Sequence, residues 1–199
     1  MDRGEVLAIT KPSGAMATIT AWDLRRPCPG VRRSLARWHA GLHLIDLVHH
    51  AVRDADPHPL LFDALDRALE RVGGAEPGPP ESVTAIVVAF QWTLLDEIGL
   101  RPELDLDVRT GRPIHQTDPV GLDPALGGVV PDPGPAASNV WRVRLGTVQY
   151  LRGIGQAGGD GVWEGVPPEQ VVRAGRLLAA YLSERLGGAI PTAAGVFGG

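Results

Sequence analysis

Eighteen consecutive residues, Glu81 to Ile98, contain neither glycine nor proline, and their middle, Ala85-Ile86-Val87-Val88-Ala89-Phe90, is apolar in every direction. The β-branched residues would also allow a strand, but few strands run so long. A helix that is apolar all round must be surrounded by other elements. The stretch therefore predicts a central buried helix, stopped at Gly99. The remaining chain has to supply its neighbours.

It does so with helical patterns on both sides. Val31, Leu35, Trp38, Leu42, Ile45, His49 and Val52 recur at spacings of three and four, which predicts one long helix with these residues facing the core. Pro57 and Pro59 end it. A second helix starts near Pro59, with Leu61 or Phe62, Leu65, Leu69 and Val72 inward and Gly73-Gly74 as its stop. Glu76 to Pro80 reads as a linker. Trp141–Ile154 and Pro168–Leu186 predict two more helices, the last with prolines at its start and Gly187-Gly188 at its end. Residues 5–22 read as a β hairpin turning at Lys11–Ala15. Residues 101–138 are dense in Pro, Gly and Asp and read as an irregular surface insert with one short strand at Gly128-Val129-Val130. From Thr192 onward the chain is expected to be mobile. The expected fold class is mainly α: five helices with a hairpin in front, divided into residues 1–29 and a helical domain at 30–199.

Composition narrows the function. An apolar share of 44% excludes wholesale disorder. The single cysteine, Cys28, excludes a disulfide framework or a cysteine zinc site. No apolar run reaches the length of a membrane span, and no basic-then-apolar opening reads as a signal peptide. A cytoplasmic protein without a membrane partner is expected. Residues 1–40 carry seven basic and three acidic groups, whereas residues 41–140 carry six and sixteen. That acidic middle argues against nucleic acid wrapped over the whole surface.

The candidate site residues are few. Trp22, Arg25, Arg26, Arg32 and Arg33, with Arg37 nearby, form a basic cluster beside an aromatic. Such a cluster neutralises phosphates while the indole stacks on a base; the alternative is a solvated helix start. His39, His43, Asp46 and His50 fall on one helix face, as a metal site or as a polar face packed on the next element. The face cannot act as one site, because His39 and His50 stand ~16 Å apart along a helix. His49 falls on the apolar stripe and is expected in the core. Asp54, Asp56, Asp105 and Asp107 form two DxD pairs, read as turn formers rather than a two-metal nuclease. Ser13-Gly14 and Gly158-Gly159-Asp160-Gly161 lack the lysine of a phosphate loop. No catalytic residue, metal or cofactor is assigned, and the chain is not expected to be an enzyme.

Pro57-His58-Pro59-Leu60-Leu61-Phe62-Asp63-Ala64-Leu65 resembles a segment of the RecO family of bacterial DNA repair and recombination mediators. Phe90 to Asp105 is similar to that family's apolar helix and the turn after it. Val108–Arg112 and Gly127–Val130 look like the halves of its zinc-knuckle region, and Leu177–Leu186 matches its last helix. The order holds over residues 30–190. The resemblance implies a RecO-like helical bundle with a zinc-knuckle-like insert, and a role in DNA recombination and the response to DNA damage. It implies partners as well: single-stranded DNA, a RecR-like protein and the C-terminal tail of the single-strand-binding protein. Help in loading RecA, strand annealing and a nucleoid-associated place in the cytoplasm follow in the same way; the alternative is a protein-interaction module, for a RecR-like protein or that tail, with little DNA binding of its own. Two departures stand out. The positions matching the family's CxxC…CxxC are Asp107, Thr110, Pro131 and Gly134, and Pro and Gly side chains cannot ligate zinc. The family's N-terminal OB-fold domain has only about thirty residues to match it here, so the hairpin looks like that domain's remnant. Two strands cannot close a five-stranded barrel. Either the barrel precedes this sequence or it has been lost.

Overall fold

The computed structural model describes residues 1–10, 17–53, 56–74, 80–136, 138–157 and 165–198. The turn at 11–16, most of the 76–80 linker, Asp54 and the 158–161 glycine turn lie outside them. At the centre is a helix, α3 (Pro80–Glu97), in contact with four others: α1 (Leu35–Ala51), α2 (Pro59–Val72), α4 (Leu145–Gln156) and α5 (Pro168–Leu186). From Ala85 to Trp92 every α3 side chain is buried, with Ile86 at 6% exposure the most open. The all-round apolarity of this stretch is thus met by all-round burial.

The inner face of α1 is not the expected one. Ala40, Gly41, His43, Leu44 and Leu47 are buried, while Leu35, Trp38, Leu42 and Ile45 are 37–69% exposed. The helix is apolar on two sides, so periodicity alone could not choose between them. Small residues decide it: Ala40 and Gly41 let the neighbours come close, and a Cβ on Gly41 would stand 2.7 Å from Val31. A short 3-10 turn at Pro29–Arg33 precedes α1 and presses on the end of α2. Ser34 then caps α1, its side chain accepting from the Arg37 amide at 3.3 Å.

The hairpin is longer than read. β1 (Asp2–Thr10) pairs antiparallel with β2 (Ala17–Pro27) as a separate two-stranded sheet. The insert is less irregular than expected and reaches the core. β3 (Val120–Asp123) lies between β4 (Gly128–Val130) and β5 (Trp141–Val143), all antiparallel. Val120, Leu122, Val129 and Val130 are at most 2% exposed. Trp141–Val143 is therefore strand, not helix, because its backbone completes this sheet, and α4 begins only at Leu145. The expected mobile tail instead forms a sixth helix, α6 (Ala193–Phe197), against α1 and α5, with Phe197 buried.

Candidate nucleic-acid interface

The cluster read from the sequence is assembled where the ribbon meets α2. Trp22 on β2 sits opposite Val6, and its ring lies over Gly4, where a Cβ would stand 2.5 Å from the indole. It remains 54% exposed and lines a cleft of about 310 Å³ with Met1, Arg3, Ile45, Phe62 and Leu65. The arginines come together too, but with carboxylates among them. Arg25 bonds Glu5 at 2.6 Å and Asp23 at 3.0 Å. Arg26 bonds Asp66 and, at 2.9 Å, Glu70, both on α2. Arg32 reaches Asp2 at 3.3 Å. Arg3, absent from the sequence-derived set, donates to Asp66 at 2.6 Å with its guanidinium 5.3 Å from the Phe62 ring centre. Arg33 is exposed at the end of the 3-10 turn, and Arg37 donates to the Gly74 carbonyl at 3.0 Å.

These contacts have electrostatic signatures. Hydrogen bonding to Asp66 raises the Arg26 pKa further above its ordinary value. The Cys28 amide, 2.9 Å away, holds the Asp2 carboxyl below its ordinary value, helped by Arg32. The acidic partners on α2 lie some forty residues downstream in sequence, and a local count of arginines cannot reveal them. Around Trp22 the surface is apolar: Val6, Ile19 and Leu24 on the ribbon are 47–65% exposed. Leu35, Trp38, Leu42 and Ile45 on α1 and Phe62 on α2 are exposed as well.

The histidine face serves as a packing surface. His43, fully buried, accepts at Nε2 from the Gln91 amide at 3.4 Å and donates from Nδ1 to Thr192 Oγ1 at 2.8 Å. The Thr192 hydroxyl donates in turn to Asp46 Oδ2 at 2.6 Å. Burial drives the His43 pKa down to about 4, against the pull of Asp46. His39 donates to the Gly195 carbonyl at 3.0 Å, and His50 turns back on Asp46. His49 is exposed, so the core histidine is His43 instead. No group of three or more His, Cys, Asp or Glu among the described residues is arranged to hold a metal.

The DxD residues that are described do separate jobs. Asp56 meets His58 at 3.1 Å, and Asp105 meets Arg152 at 2.9 Å. Asp107 accepts from the Arg109 amide and from Thr110 Oγ1, at 3.0 and 2.7 Å. Asp107 and Thr110 are the first two knuckle positions, so a hydroxyl–carboxylate bond links them directly. Beside the second pair, Asp132 accepts from the Gly134 amide and grips Arg142 with both oxygens, at 2.8 and 2.9 Å. Hydrogen bonds to Thr110 and to Arg142, respectively, hold these two carboxyls below their ordinary values.

Comparison with known proteins agrees with this architecture. The family described as "Recombination protein O C terminal" matches residues 32–193. The chain is 27% identical over 181 residues to the DNA repair protein RecO of Myxococcus xanthus, covering 90% of this chain and 69% of that one. It is 38% identical over 105 residues to the RecO of Rhodopirellula baltica, covering 51% and 37%. With the RecO of Anaeromyxobacter sp. strain K, 28% identity extends over 159 residues, 79% and 60%. The chain thus spans 37 to 69% of the length of these relatives.

Proposed function

The chain belongs to the RecO family through its C-terminal helical domain, and from that premise we propose that it is a non-enzymatic mediator in DNA repair and homologous recombination of the RecF-pathway type. Its contribution is to hold protein partners: a RecR-like protein and the tail of the single-strand-binding protein. One observation carries the emphasis on protein over DNA. Arg25, Arg26 and Arg32 are engaged by carboxylates, while Trp22 and its apolar neighbours stay exposed. Contiguous exposed apolar surface marks an interaction site for protein rather than phosphate. On this reading residues 1–29 correspond to part of the family's OB-fold domain.

The second reading is direct binding of single strands, leading to RecA loading and strand annealing. Trp22 supports it, because an exposed indole flanked by arginines is a stacking platform. Fluorescence anisotropy separates the two. The protein is titrated against a labelled single strand at low salt, and separately against a purified RecR-like protein. Saturable RecR binding with weak or absent strand binding is expected. Tight strand binding without any protein partner would overturn the primary reading.

A further inference from the structure

α1 is apolar on two sides, and its own fold uses one of them. The inner side packs on α2, α3 and α6. The outer side carries Leu35, Trp38, Leu42 and Ile45, all exposed, and continues to exposed His49. Their spacings are three, four, three and four. That is the narrow seam of a two-helix coil, not the broader stripe of a helix lying on a core. From Leu35 to Ile45 it runs about 15 Å along the axis, at 1.5 Å per residue. Among the described residues no other helix has such a seam. α2 leaves only Leu60 and Phe62 exposed among its large apolar side chains, and α4 and α5 leave none.

We infer that this seam is the contact between two copies of the chain, paired antiparallel about a two-fold axis that passes between Trp38 and Leu42. Knobs of one helix interleave with another only where the period matches, and every copy of this chain carries the matching seam. A two-fold contact is self-complementary, with one patch serving both copies. Trp38 of one copy then meets the partner's Leu42, and Leu35 meets the partner's Ile45. Charge sets the direction. Arg32 and Arg33 stand just before the helix, and Asp46 lies towards its other end. A parallel pair would set these arginines beside their own copies, and like charges brought together cost energy. The antiparallel pair carries Arg32 towards the partner's Asp46 and opposes the two helix dipoles. Four large side chains per copy are far fewer than the roughly 20–30 residues a side of a standard interface, so the dimer is a micromolar one. The inference goes beyond the proposed function, since it needs neither DNA nor another protein.

Sedimentation equilibrium of the full chain, with no partner present, tests this. Across about 1 to 200 μM, which brackets micromolar association, the mass should climb from one chain towards two. Leu42→Glu, at an exposed position, should raise the dissociation constant at least about tenfold, because it sets an unpaired charge against the partner's Trp38. Ile9→Lys, on the ribbon, should leave the constant unchanged. Direction is read by oxidative crosslinking in a Cys28→Ser background. Leu35→Cys mixed with Ile45→Cys should form a disulfide between the two variants, and neither should form one with itself. A single-chain mass at every concentration overturns the inference, and so does a dimer that survives Leu42→Glu or is lost with Ile9→Lys. Leu35→Cys joined to itself would make the pair parallel and overturn it too. A chain that stays monomeric but loses a RecR-like protein on Leu42→Glu would give the seam to that partner instead, and the second-copy inference would fall while the proposed function stood.

Discussion

At the residue scale, burial turns particular side chains into measurable quantities. Phe90 is 3% exposed in the most enclosed helix. Phe90→Ala should cost about 3–5 kcal/mol through lost transfer energy and the cavity left behind. That is a large part of the 5–15 kcal/mol typical of a domain. Chemical denaturation should show it as a lower midpoint at unchanged slope. His43 makes the protein sensitive to pH. Its pKa is about 4 in the folded chain, against an ordinary value of 6.5. Between those values the unfolded chain binds a proton that the folded chain refuses, so stability falls as pH falls. From pH 7 to pH 5 the loss should be on the order of 2 kcal/mol, at 1.36 kcal/mol per unit below the unfolded pKa. His43→Gln, which cannot ionise, should unfold with a much flatter pH dependence over that window. An equally steep loss in the variant would assign the effect to other groups.

At the element scale, legibility followed length. α3 and α5 were readable from sequence because each runs for eighteen or more residues between prolines and glycines. The strands β3, β4 and β5 have only three or four residues each, and each becomes a strand only by meeting partners elsewhere in the chain. Sequence could therefore show the short strand at Gly128–Val130 and the turns around these strands but not the sheet that joins them. α6 was missed for the same reason: five residues carry no period, and its position rests on tertiary contacts, Phe197 against Gly175 of α5 and His39 of α1 on the Gly195 carbonyl. The candidate site was half legible. Its arginines and Trp22 stood together in the sequence, whereas Asp66 and Glu70, which engage Arg26, lie on another helix. The insert also yields a prediction. Asp107 and Thr110 bond each other, and Asp132 is engaged by Arg142, in the insert that the sequence resemblance likens to a zinc knuckle. Purified protein should hold far less than one zinc per chain by elemental analysis, and a chelator should leave its unfolding midpoint unchanged. A stoichiometric zinc would show that these turns are rebuilt around metal.

At the scale of the whole molecule, charge is redistributed by folding. Arg3 and Arg26 of the basic first forty residues meet Asp66 and Glu70 of α2, so part of the positive charge seen in sequence is neutralised in space. Any binding to single strands should be weak and steeply salt-dependent. If four arginines engage phosphates, log affinity against log salt should have a slope near about −3, from roughly −0.7 per phosphate. Replacing Arg25, Arg26, Arg32 and Arg33 with alanine should flatten that slope, and Trp22→Ala should weaken binding by about 1–3 kcal/mol if the indole stacks. A slope unchanged by the four substitutions would place the contact elsewhere. The ribbon itself has a different consequence. Among the described residues it is a two-stranded sheet on its own, with Leu7, Ile9 and Ile19 more than 60% exposed. Each outer edge carries backbone donors and acceptors that another extended chain can match. Association between copies can then begin at these strands. In a concentrated stock, ribbons of neighbouring molecules can join edge to edge while every helix stays intact, so shelf life is governed by the least enclosed part of the fold.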